Sequence, residues 1–184
     1  MKVKTVASIR ARVGSRGSRR MQRGATLLEA IAYLGIAAIV VIGAIALLRG
    51  AFGSASSNQT AEQVTAIQTG VKKLYMGQTN GYNGLTTTVA IAAGIIPTTL
   101  VIDTAANTVT DAWGGAVTVA SAGTGTFTIE FASVPTDVCI NAASAGGTWT
   151  AVSIGGAAQT VPVTPAAAQA ACAGGAKDII WTSA

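Results

Sequence analysis

The chain has 184 residues, 50% of them hydrophobic, a formal charge of +5 and no histidine. That length holds one modest domain plus an anchor. The missing imidazole excludes Ser-His-Asp triads, Cys-His pairs and histidine-built metal sites within this chain. No nucleophile motif or nucleotide-binding loop is present, so the reading is of a non-enzymatic protein with no cofactor.

Residues 1–24 carry the charge. Lys2, Lys4, Arg10, Arg12, Arg16, Arg19, Arg20 and Arg23 all precede Ala25, and beyond Gly24 four basic side chains stand against seven acidic ones, a net of −3. The high isoelectric point therefore describes a leader and not a basic nucleic-acid surface on the main body. The leader has no apolar periodicity. A disordered basic tail is the plain alternative; next to a spanning helix, its cations fix the N-terminus in the cytoplasm.

Ala30 to Leu48 is an uninterrupted apolar run of 19 residues, close to the ~20 needed to span hydrocarbon. A secretory signal would be cut after this run, and only Arg49-Gly50-Ala51 offers a weak site there. Glu29 stands at the head of the run, where a carboxylate costs ~2.5–3.5 kcal/mol on insertion scales. Two partners suit it. Thr26-x-x-Glu29 is a capping-box pattern, in which Glu29 bonds back to the Thr26 amide. Alternatively, a cut after Gly24 frees an α-amino group on Ala25 that pairs with Glu29 of a neighbouring copy.

Composition shifts at Arg49-Gly50-Ala51-Phe52-Gly53-Ser54. Two glycines weaken a helix by ~1 kcal/mol each, so a bend or meltable stretch is expected, not a stop. Val64, Ile67, Val71, Leu74 and Tyr75 then recur at helical spacing. A single helix of roughly 50 residues would run ~75 Å, greasy all round at first and one-sided later. Gly77 and Asn80-Gly81-Tyr82-Asn83-Gly84 end it.

The remainder predicts a short helix within 86–94, strands over 116–120 and 126–132 joined by a turn at 121–125, and a helix from Pro135 to about Ala145. A strand over 149–155, a short helix over 165–173 and a closing strand over 178–182 follow. The expected class is α+β: a long N-terminal helix packed on an antiparallel β-sheet head. The expected segments are the leader 1–24, a transmembrane and assembly helix 25–50, its amphipathic continuation 51–77, and a globular head 78–184. Cys139 and Cys172 are the only cysteines. Beyond a membrane segment they read as one disulfide, with two buried thiols as the alternative. The Gly-Gly pairs read as turns, Trp113, Trp149 and Trp181 as core or subunit contacts, and Lys72 and Lys73 as a solvated helix face. Asp111 and Asp137 lack the ligand spacing of a calcium site.

Gly24, then Ala25-Thr26-Leu27-Leu28-Glu29, then an apolar helix resembles the class III signal of type IV pilins. The long leader, the non-Phe residue Ala25 and the widely spaced cysteines resemble the type IVb subclass, in particular PilS-like major prepilins. Asp111-Ala112-Trp113-Gly114-Gly115 is similar to an element shared with type II secretion pseudopilins. The resemblance implies cleavage by a prepilin peptidase between Gly24 and Ala25, N-methylation of Ala25, and a register role for Glu29, the fifth residue counted from Ala25. It implies a subunit held in the inner membrane and lifted by an assembly platform and ATPase into a homopolymeric extracellular filament. A minor pilin, a pseudopilin or a non-polymerising, membrane-anchored binding domain are the alternatives. Adhesion, conjugation, DNA uptake and motility all use such subunits, and the residues do not choose among them.

Overall fold

The computed structural model describes residues 26–123 and 125–184; the leader, with Gly24 and Ala25, lies outside the described residues. The chain divides into two compact units, 1–43 and 44–184.

Helix α1 (Leu27–Leu74) contributes to both units. It continues through Gly50 and Gly53, where local weakening is expected from sequence. Hydroxyls bridge this stretch along the helix: Ser54 Oγ donates to the Gly50 carbonyl at 3.1 Å and Ser57 Oγ to the Gly53 carbonyl at 2.7 Å. Such back-bonding satisfies polar side chains without interrupting the ladder. In the first unit every described side chain, Thr26 to Gly43, is exposed. Among the described residues α1 is the one helix long and apolar enough to cross a membrane.

In the second unit α1 turns amphipathic. Val64, Ile67 and Val71 are buried at helical spacing and join one core with the sheet residues. Gln68 crosses the interior, its Nε2 donating to Ser183 Oγ at 2.8 Å, which satisfies a polar group that burial would otherwise penalise.

The head opens with α2 (Thr87–Ala92), capped by the Thr86 hydroxyl on the Val89 amide. A separate hairpin of β1 (Val101–Asp103) and β2 (Thr108–Thr110) follows. Then come β3 (Val117–Ser121), β4 (Phe127–Val134), α3 (Thr136–Ser144), β5 (Ala151–Ile154), β6 (Ala157–Gln159), α4 (Pro165–Ala171) and β7 (Lys177–Ser183). The main sheet is antiparallel in the order β3-β4-β7-β5-β6.

Alternation sends Val117 and Val119, Phe127, Ile129 and Phe131, Val152 and Ile154, and Ile179 and Trp181 inward. A β-bulge between Phe131 and Val134 shifts the register, so Val134 and not Ser133 faces the core. Ser133 sits there at φ +56, and its freed amide donates to Asp178 Oδ1 at 2.8 Å. Trp181 meets Phe131 edge-on at 5.9 Å and Trp149 at 6.3 Å, so these two tryptophans belong to the core and its rim.

Two features differ from the sequence expectation. The β1–β2 hairpin and β6 fall in stretches to which the sequence reading assigns no element. Each strand is three residues long, too short for alternation to register, and β6 is built from alanines with little strand preference. The link to β6 has a legible signal: Gly155 and Gly156, at φ +56 and +82, are the paired positive-φ residues of a two-residue hairpin turn.

Candidate functional site

The head of α1 concentrates the polar chemistry of an otherwise apolar segment. Thr26 Oγ1 accepts the Glu29 amide at 3.3 Å, which forms the first half of a capping box. The reciprocal half is not formed among the described residues. Glu29 Oε1 instead accepts from the Tyr33 hydroxyl, 3.3 Å away and one helical turn on. Around this pair the surface is apolar and open: Leu27 is 81% exposed and Ile39 73%. A surface of this kind requires lipid or protein to cover it. The sequence reading places Glu29 correctly at the helix head but misses Tyr33, although the i, i+4 spacing after a lone carboxylate is a visible signal. Gly24 and Ala25, the expected cleavage and methylation residues, lie outside the described residues.

A second constellation lies in the loop before β3. Asp111 is 4% exposed. Its Oδ1 accepts the amides of Trp113 at 2.9 Å and Gly115 at 2.7 Å, and the Asp111 amide returns to the Gly115 carbonyl at 2.9 Å. Gly115 is obligatory by space, since a Cβ there would collide with the Ala132 carbonyl oxygen. The Asp-x-Trp-Gly-Gly element is thus a self-closed turn that leads from β2 into β3, and one carboxylate oxygen, Oδ1, is occupied by the loop's own amides.

Asp111 Oδ2 is buried without a partner among the described residues. Burial pushes its carboxyl above the ordinary 3.8, while the backbone amides of Gly115, Trp113 and Gly114 pull it back down. The folded chain therefore holds this proton to higher pH than the unfolded chain does. Its contribution to stability is fully present in acid, below about pH 4, and is lost as pH rises through the raised value. Asp111→Asn, which keeps an acceptor for the amides, should remove this trend. The urea-midpoint difference, wild type minus variant, should fall from pH 4 to pH 7. Asp111→Ala should cost about 2–4 kcal/mol at pH 4, because it strands two amides. A difference that rises with pH would contradict the assignment.

Cys139 on α3 and Cys172 at the end of α4 form a disulfide with Cα atoms 6.0 Å apart, and both are buried. Of the two sequence readings of the cysteines, the disulfide holds. It ties together two helices of 9 and 7 residues, both too short to persist alone.

An amphipathic helix packed on an antiparallel sheet, with a disulfide joining two short flanking helices, defines the α+β fold of a type IVb pilin. The crystal structure of a type IV b pilin from Salmonella typhi matches it with a TM-score of 0.56, at 21% identity over 67% of this chain and 97% of that one. The chain belongs to the PilS family: the family model described as PilS N terminal matches residues 54–184. No curated protein matches it in sequence. The family and fold are structural and not enzymatic.

Proposed function

We propose that this chain is the major subunit of a type IVb pilus, cut by a prepilin peptidase between Gly24 and Ala25, methylated on Ala25, and polymerised through α1. The observation that carries the reading is Glu29, a lone carboxylate on an exposed apolar helix in a chain of the pilin family. An unpaired anion in that setting is costly, and an α-amino group on Ala25 of an adjacent copy is the counter-charge at the right height. Pairing neutralises both charges, and a copy out of register buries one alone, which is heavily penalised. A carboxylate kept at this position favours a main-shaft subunit over a minor one.

Before assembly the subunit sits in the inner membrane, N-terminus in the cytoplasm, oriented by the eight leader cations. Transfer from lipid to a filament core brings little hydrophobic gain, so close packing must supply the specificity. Gly35 and Gly43, which carry no side chain and stand on this exposed helix, are the residue type that lets a neighbouring backbone approach closely. The energy for extraction comes from an assembly ATPase acting through an inner-membrane platform.

Intact-mass and N-terminal peptide mass spectrometry of the chain from producing cells tests the reading. The expected N-terminus is Ala25 carrying one methyl group. Fibres whose subunits still begin at Met1 or Met21 would overturn it, and an uncleaved, unassembled chain would mark a membrane-anchored binding domain instead.

A further inference from the structure

We propose that Tyr33 is a positioning residue for assembly: its hydroxyl holds one oxygen of the Glu29 carboxylate and presents the other to the amine of a second copy of this chain. The inference deepens the polymerisation reading and rests on it for its functional half only.

Between Ala30 and Leu48 the sequence holds one side chain with a polar atom, Tyr33. It lies four residues after the only carboxylate of the segment, the spacing that puts two side chains on one helix face. Its hydroxyl donates to Glu29 Oε1 at 3.3 Å. Among the described residues Oε2 takes no hydrogen bond, and the neighbouring polar atom, Thr26 Oγ1, is engaged by the Glu29 amide. The three groups thus divide the work: Thr26 fixes the backbone turn, Tyr33 fixes the carboxylate, and one oxygen is left open. A distance of 3.3 Å is long for an O–H···O bond. Lipid or a packed helix bundle removes competing water, the condition under which such a bond strengthens. Glu29 otherwise has three rotatable bonds, and ordering them on assembly opposes pairing. A phenol with two torsions, already in place, reduces that ordering and keeps the carboxylate partly satisfied while the subunit waits in the bilayer.

Tyrosine also gathers at membrane interfaces for its amphipathic ring alone, and the test must separate the two roles. Tyr33→Phe keeps the ring and deletes the donor. In a host with the assembly machinery, the full chain carrying Tyr33→Phe should insert and lose its leader as wild type does, with filament yield down about fivefold, the worth of one net hydrogen bond. In phosphatidylethanolamine–phosphatidylglycerol vesicles, the Raman difference spectrum between wild type and Tyr33→Phe isolates this phenol. It should show a hydrogen-bond donor, and the donor signature should vanish when both chains carry Glu29→Ala.

Filaments at wild-type yield from Tyr33→Phe overturn the proposal. So does a phenol signature indifferent to Glu29, and so does a Tyr33→Phe chain that fails to insert, which would make Tyr33 an interfacial anchor. If the wild-type chain forms no filament at all, the polymerisation reading fails, while the vesicle spectra still decide whether Tyr33 holds Glu29.

Discussion

Replacing Glu29 with alanine should leave insertion and leader removal unchanged and reduce recovered filament by more than roughly tenfold. The size follows from removing one member of the proposed dry ion pair, which would strand the other charge at a cost of about 3–5 kcal/mol. The effect falls on assembly alone because the isolated helix gains by losing an anion from lipid. Filament sheared from cells, quantified against total chain in the membrane fraction, measures it. Glu29→Gln sharpens the result. It keeps an acceptor for Tyr33 and removes the charge, so it should assemble as poorly as the alanine variant if charge pairing sets register. Wild-type filament from Glu29→Ala would leave the residue only its local role at the helix start.

The second large effect is expected in the head. Removing the Cys139–Cys172 bridge with a Cys139→Ala/Cys172→Ala double substitution should destabilise it by about 3–4 kcal/mol. That is the loop-closure entropy released for a sequence separation of 33. Both sulfurs are fully buried, so truncation adds a packing loss in the same direction. Tryptophan fluorescence is a suitable reporter because Trp181 lies in the core. With a urea slope of about 1–3 kcal/mol/M for a small domain, the midpoint should drop by roughly 1–4 M. A midpoint within error of wild type would mean that α3 and α4 dock without the bond. The expected consequence in cells is fewer subunits reaching the filament, through loss of folded heads and not through any change at Glu29.

The two ends of this molecule were legible to different degrees, for physical reasons. Helix periodicity exposed α1 over its whole course because Val64, Ile67 and Val71 repeat at 3.6 residues while the stretch before them is apolar all round. Strict alternation exposed β3, β4 and β7. Thr164-Pro165 marked the start of α4, with the hydroxyl of Thr164 accepting the Ala167 amide. Three-residue strands gave no periodic signal, so β1, β2 and β6 became visible only in three dimensions. The Asp111 loop was visible as a motif but not as a mechanism, since nothing in the letters says that Gly115 lies against the Ala132 carbonyl. At the helix head, Glu29 stood out by charge in an apolar context. Tyr33 did not, because a tyrosine in a membrane segment has an ordinary interfacial explanation. The family match over residues 54–184 and the stretch Gly24–Glu29, whose sequence resembles a pilin processing signal, occupy separate parts of the chain. Each therefore supports the pilin assignment independently of the other.

Strand β7 lies between β4 and β5 in the sheet but follows both of them along the chain. Those two earlier strands share no ladder and are bridged only when Lys177–Ser183 arrives, which delays the long-range closure that makes a sheet resist pulling. A chain made from its N-terminus onward therefore holds β3–β4 and β5–β6 as two separate ladders until its last strand is available. The main sheet then closes in one late step, as β7 pairs with β4 on one side and β5 on the other. Order of synthesis is thereby turned into a safeguard against premature compaction.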